Sequence, residues 1–235
     1  WAVFTIPIII FLPEPKIGNK HPLSRAISSG FMQIKETFMH IREMKIIGTF
    51  LLAFWLYEDG VATIVRMAAK IASSLGFAAG DIITAILMVQ FIGFPAALLY
   101  NWFAKKIGIK NAVLVAIVGY GLITILGYLM TDITHFYVLA AMIGIFQGGI
   151  QSLSRSLFTR LVPKNKEAEF FGFYNMLGKF AAVIGPILVG WITVLTGNPR
   201  AGILSIVVLF VLGGLLLRTV DFKEGERIAL QYGKN

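Results

Sequence analysis

Long apolar runs alternate with short polar ones along this chain, and the length of each run limits what it can form. A helix needs about 20 predominantly apolar residues to cross the hydrocarbon core of a bilayer. Six blocks meet that length: 46–67, 82–103, 112–130, 136–157, 170–194 and 201–217. A shorter block, 1–12, runs into Pro13-Glu14-Pro15 and reads as the end of a preceding span, so the chain is read as a fragment. In the polar segment 13–45, Ile27, Phe31, Ile34, Phe38 and Ile41 recur at steps of four and three. Gln33, Lys35, Glu36, His40 and Arg42 fall opposite them. This spacing predicts an amphipathic linker helix lying on a membrane surface or against its own protein. Residues 46–220 are expected to form one six-helix domain, and 221–235 a polar tail without a readable element.

The six spans differ in what they carry. The third and sixth contain no charge and almost nothing polar. The first holds Glu58, Asp59 and Arg66; the second Gln90 and Pro95; the fourth Gln147, Gln151, Ser152, Ser154 and Arg155; the fifth Asn175, Lys179 and Pro186. Polar groups that cannot face lipid must face protein or a watery cavity. Spans one, two, four and five are therefore expected to line a cavity, with three and six as lipid-facing support. The sequence lining, lining, support occurs twice, and the breakers recur with it: Gly60 against Gly148-Gly149, and Gly93-Phe94-Pro95 against Gly185-Pro186. Two three-helix units of opposite orientation make an inverted repeat, a transporter pattern. The fold class is an all-α membrane protein.

Composition and charge sharpen this reading. The chain is 57% hydrophobic and 14% charged, with mean hydropathy +0.79; soluble domains carry about a quarter charged residues. The net charge of +9 would suggest a nucleic-acid partner in a soluble protein, but the placement of the charges excludes one. Sixteen of the 21 basic residues occupy alternate connections: before the first span, between the second and third, between the fourth and fifth, and after the sixth. The positive-inside rule makes that side cytoplasmic. With no cysteine, disulfides, thiolate metal sites and cysteine nucleophiles are ruled out.

The candidate chemistry centres on Glu58 and Asp59. A charge at the centre of a membrane helix costs about 2.5–3.5 kcal/mol, whereas each Leu, Ile, Phe or Val returns only about 0.3–0.6. The pair thus offsets most of its own helix. At 1.5 Å per residue, Asp59 lies about 20 Å into the span. Arg66 shares its face but lies two turns further out. Lys179, about 14 Å along the fifth span, is the expected counter-charge. The two are expected to project into one aqueous vestibule, forming a proton- or ion-responsive pair; the competing reading is a structural buried ion pair. Gln90, Gln147, Gln151 and Asn175 read as polar cavity wall, and Arg155 as either cavity wall or interfacial anchor. His21, His40 and His135 fall in loops or the surface helix rather than within the spans, so none is placed as a proton relay. No metal motif, cofactor loop or nucleophile elbow occurs, so neither a cofactor nor an enzyme activity is expected.

Four strings carry a resemblance: LYEDGVATI, VQFIGFPAA, QGGIQSLSRSLFTRLVP and KEAEFFGFYNMLGKFAAVIGP. Together, in this order, they resemble the C-terminal six helices of the vacuole-effluxer branch of the major facilitator superfamily, a branch that includes a fungal vacuolar amino-acid effluxer linked to autophagy. The resemblance implies a proton- or gradient-driven transporter working by alternating access, whose substrate sits between this half and an N-terminal six-helix half. It implies amino acids or similar small solutes as cargo, and residence in a bacterial inner membrane or a fungal vacuolar membrane. It places Asp59, Gln147, Arg155 and Lys179 in family motifs. In the turn NWFAKKIGIK, Lys106, Gly108 and Lys110 fit a superfamily gating loop. Asn101 and Lys105 stand where that loop usually has a glycine and an acid, so the acid's salt bridge has no acid here. The alternative is a non-transporting membrane scaffold or sensor working through the amphipathic linker.

Overall fold

Helix boundaries follow from backbone chemistry at the ends of the apolar runs. A computed structural model describes residues 32, 44–164 and 166–232. The expected end of a preceding span and nearly all of the 13–45 linker, with its amphipathic helix, lie outside the described residues. Helix α1 (Lys45–Ser74) ends where Gly76 takes a left-handed φ of +81°. There Gly76 N–H donates to Ser73 O and Phe77 N–H to Ala72 O, the paired closure of a helix C-terminus. Helix α2 (Ala79–Ile107) turns at Gly108, φ +89°, into α3 (Ile109–Leu129). Helix α4 (Ile133–Leu161) starts at Asp132, whose carboxylate accepts from His135 N–H at 3.0 Å.

The fifth span is two helices, α5 (Glu167–Phe180) and α6 (Ile184–Thr196). Pro186 explains the position of the break. It has no N–H to offer the Ala182 carbonyl, and its ring would collide with that carbonyl in a continuous helix. The chain instead kinks through Ala182 at φ +95°, and Pro186 sits in the first turn of α6, where its missing donor costs nothing. The sixth span is a short α7 (Pro199–Leu204) followed by α8 (Val207–Thr219). Among the described residues there is no strand, and six helical segments are long and apolar enough to cross a membrane.

Three expectations require correction. The repeat of breakers is incomplete: α2 runs unbroken through Pro95, whereas the fifth span parts before Pro186. A broken helix in lipid must find acceptors for its freed amides, and a carboxylate supplies them only in the second case. The division into lining and support helices departs at the second span alone, which adds no side chain to the cavity shared by spans one, four and five and leaves Phe91, Phe94, Leu98, Leu99 and Trp102 exposed. Helix α3, expected as support, buries Ala112, Ala116, Tyr120 and Ile123 against α4 and α8 and exposes Val118, Leu122 and Leu129 on its other side. Apolar content alone cannot tell a lipid face from a packed one. Finally, the tail forms helix α9 (Phe222–Tyr232), begun by Asp221, whose Oδ1 accepts from the N–H groups of Lys223 and Glu224.

Packing centres on α1, which lies against α8 and α4. Phe50, Tyr57 and Ile64 are fully buried there. Gly60 lets the Phe210 ring sit on the α1 backbone, because an added Cβ would lie 2.8 Å from it. Small residues also set the α2–α4 contact: a Cβ at Gly148 would lie 2.8 Å from Ala97 Cβ and 2.9 Å from Gly93 O. Close small-residue approach is how helices associate where the hydrophobic effect gives no help.

Candidate functional site

Three helices each supply side chains one turn apart, and these converge on one cavity of about 550 Å³. Helix α1 contributes Phe54 and Glu58; α4 contributes Gln151, Ser152 and Arg155; α5 contributes Tyr174, Asn175, Gly178 and Lys179. The i, i+4 pairs Phe54/Glu58, Gln151/Arg155 and Asn175/Lys179 each place two groups on the same helix face. Counted from the basic side, the charged groups lie about 9–20 Å into the bundle. The volume falls within the range of about 300–1,000 Å³ common for small-molecule sites.

The cavity holds one carboxylate and two cations. Arg155 Nη2 donates to Asn175 Oδ1 at 3.0 Å. Glu58 Oε2 is buried and accepts no hydrogen bond. None of the ion pairs among the described residues involves Glu58, Arg155 or Lys179. Tyr174 stacks between Phe54, at 4.2 Å between centroids, and Phe158, at 4.8 Å, giving the cavity a flat aromatic wall. Behind it, Tyr57 OH donates to Ser154 Oγ at 2.7 Å, both residues being buried.

Asp59 does not share the cavity. A one-residue step turns a side chain about 100° around a helix, which carries Asp59 into the packed interior, where it has no exposed surface. Its Oδ2 accepts from Ile184 N–H at 2.8 Å, and its Oδ1 from Gly185 N–H at 2.9 Å and from Thr63 Oγ1 at 3.1 Å. Asp59 thus caps α6 across the bundle and takes up the amides that the break sets free. The expected Asp59–Lys179 vestibule is absent for this reason: the carboxylate is already bound to backbone. Gly185 completes the cap, because a Cβ there would run into Thr63 Oγ1 and Asp59 Oδ1.

The other candidate residues are dispersed. Gln90 is exposed on α2 and outside the cavity lining. Gln147 lies one turn from Gln151, with its side-chain oxygen buried and unpartnered. Arg66 is exposed. Lys106 Nζ lies 3.7 Å over the Trp102 ring, and Gly108 forms the α2–α3 turn. Lys110 Nζ donates to Arg218 O and Val220 O, both at 2.8 Å, closing the C-terminus of α8. Among the described residues no three His, Cys, Asp or Glu side chains converge as a metal site would.

The sequence reading missed the aromatic wall, and it named Ser152 among the polar groups of the fourth span without singling it out as cavity wall. Phe54 sits four residues before Glu58 and Tyr174 five before Lys179, about one helical turn in each case, a spacing that could have revealed the wall. It also missed the cap, although Asp59 and Thr63 stand one turn apart facing a Gly-Pro break.

The family described as vacuole effluxer Atg22-like matches residues 1–230. A Bacillus subtilis (strain 168) protein named as the uncharacterized MFS-type transporter YxiO is 36% identical over 231 residues, covering 98% of this chain and 54% of that relative. Autophagy-related protein 22 of Yarrowia lipolytica is 29% identical over 97% of this chain and 44% of its own length. Its namesake in Kluyveromyces lactis is 25% identical over 98% and 51%. The chain spans about half the length of these relatives.

Proposed function

This chain belongs to the vacuole effluxer Atg22-like family, and on that premise we propose that it is one half of a secondary transporter moving zwitterionic amino acids by alternating access. The observation that carries this reading is the cavity, with Glu58 on one helix facing the cations Arg155 and Lys179 on two others. An amino acid has an ammonium and a carboxylate joined through one carbon. Glu58 takes the ammonium, Arg155 and Lys179 take the carboxylate, and the Phe54–Tyr174 stack packs the side chain. Gln151 and Asn175 supply the neutral hydrogen-bonding wall. A second half, of the length by which the relatives exceed this chain, covers the open side of the cavity and the exposed face of α2 that bears Gln90.

Glu58 is the proposed coupling group. A buried carboxylate oxygen with no partner is costly to keep charged, and either a proton or the substrate ammonium relieves that cost. The two therefore compete, so that loading substrate releases a proton. Lys179 and Arg155 keep the empty cavity attractive to an anionic group.

The test is transport by the full-length protein in proteoliposomes. Glu58→Gln should abolish accumulation driven by a pH gradient while leaving counterflow exchange measurable. Gradient-driven accumulation at the wild-type rate in that variant would rule out the coupling role. Failure of any amino acid to exchange in the wild type would rule out the cargo.

A further inference from the structure

A second cavity, of about 580 Å³, lies on the basic side of the bundle, away from the proposed substrate site. Its charged lining is Lys110, Arg160, Arg218 and Lys223 against Asp221 and Glu226. Arg160 and Glu226 neutralise each other at 2.7 Å, and the Asp221 carboxylate is engaged by two backbone amides of α9. Lys110 spends two of its three protons on carbonyls. The exposed side chains of Arg218 and Lys223 have no ion-pair partner among the described residues. The cavity therefore carries an uncompensated positive charge.

An apolar groove of about 390 Å³ runs down the same two helices. It is walled by Leu114, Gly121 and Ile125 of α3 and by Val207, Gly214 and Leu215 of α8. Helices α3 and α8 pack behind α1 and α4, so this face points away from the substrate cavity. The groove begins at Leu114 and Leu215, one turn or less from Lys110 and Arg218, so the two sites join end to end. From residue 114 to 125 it extends about 16 Å along the helix. One leaflet of a bilayer core is about 15 Å deep.

From this juxtaposition we infer that the α3–α8 face binds a phospholipid with an anionic headgroup. Its phosphate sits among Lys110, Arg218 and Lys223, and an acyl chain lies in the groove between the two helices. Basic pockets at the ends of membrane helices suit anionic headgroups, and an apolar groove one leaflet long matches a single chain. A free phosphate would account for the basic cavity alone and would leave the groove unexplained.

The experiment uses full-length protein, delipidated in detergent, with bound lipid counted by native mass spectrometry. It is titrated separately with phosphatidylglycerol, phosphatidylcholine and inorganic phosphate. Phosphatidylglycerol should bind at least tenfold more tightly than phosphatidylcholine. Each basic residue near a membrane surface is worth a factor of about five for an anionic headgroup, so Arg218→Gln with Lys223→Gln should weaken phosphatidylglycerol binding about twentyfold or more. A side chain added at Gly121 meets open space, so Gly121→Leu should fill the groove in a folded protein and reduce occupancy by both lipids. Equal binding of the two lipids, or an unaffected double variant, overturns the proposal. Phosphate binding as strong as lipid binding, with Gly121→Leu silent, assigns the cavity to a soluble anion and overturns it as well.

Discussion

Removing the Asp59 carboxylate should damage the architecture of the domain before it damages the chemistry of the cavity. In the native bundle this group satisfies two amides at 2.8 and 2.9 Å and one hydroxyl at 3.1 Å, in a site with no solvent exposure. Thr63 can turn its hydroxyl to the carbonyl one turn back, so its loss is recoverable. The amides of Ile184 and Gly185 have no such recourse, and each orphaned donor costs about 1–3 kcal/mol. Asp59→Ala should therefore destabilise the domain by about 2–6 kcal/mol. Asp59→Asn keeps one acceptor oxygen and should cost about half as much. Gly185→Ala attacks the same cap from the other side by pressing a methyl group onto Thr63 and Asp59. Because the two changes break one interaction, the double variant should lose clearly less than the sum of the singles. Unfolding of the full-length protein in detergent, followed by tryptophan fluorescence, measures all four. A stable Asp59→Ala protein, within about 0.5 kcal/mol of wild type, would refute the cap. So would strict additivity in the double variant.

Other positions give equally direct expectations. Ala182 holds a left-handed φ of +95°, a conformation costing about 1–2 kcal/mol for a residue with a Cβ. Ala182→Gly should relieve that, less about 0.5–1 kcal/mol of added freedom in the unfolded chain, for a small net gain in the same unfolding assay; Ala182→Val should lose stability. Gly148→Val would force α4 away from Ala97 and Gly93 and should cost about 1–3 kcal/mol, visible as a lowered unfolding midpoint. The Asp132 carboxyl is held below its usual range, chiefly by the His135 backbone N–H. A lowered value means that its cap on α4 is intact above about pH 4 and is lost as the pH falls further, through the folded-state value. Hydrogen-exchange protection at the start of α4, with the intrinsic pH dependence of amide exchange divided out, should be flat down to about pH 4 and then fall, whereas Asp132→Ala should be less protected throughout.

Much of the bundle was legible because span length and apolar content are local properties. Five of the six predicted blocks fall within observed helical spans and the third, 112–130, overruns Leu129 by one residue, while α1 and α4 run several residues past their apolar windows. Their ends carry polar residues on one face, and hydropathy windows discard those. The candidate site was less legible, for a geometric reason. Glu58 and Asp59 are neighbours in sequence but point about 100° apart, and nothing local says which one meets water. The choice depends on where the fifth span breaks and on which carboxylate then meets the freed amides. Gln90 illustrates the same limit. A glutamine in an apolar helix signals a polar surrounding, but the surface exposed on α2 does not reveal its partner. The α9 helix was readable in principle, since Asp221 and Glu224 stand three residues apart at the start of a run that buries Phe222, Gly225 and Ala229.

The break at 181–183 also separates two mechanical roles within one span. Helix α6 is pinned at its first turn to α1 through Asp59, while α5, with Tyr174, Asn175 and Lys179, carries no main-chain ladder across the gap. A swing of α5 can therefore widen or narrow the cavity mouth as a lever, with Ala182 as its hinge and α6 as a fixed post. Movement of these cavity-lining groups would then leave the central packing of the bundle undisturbed.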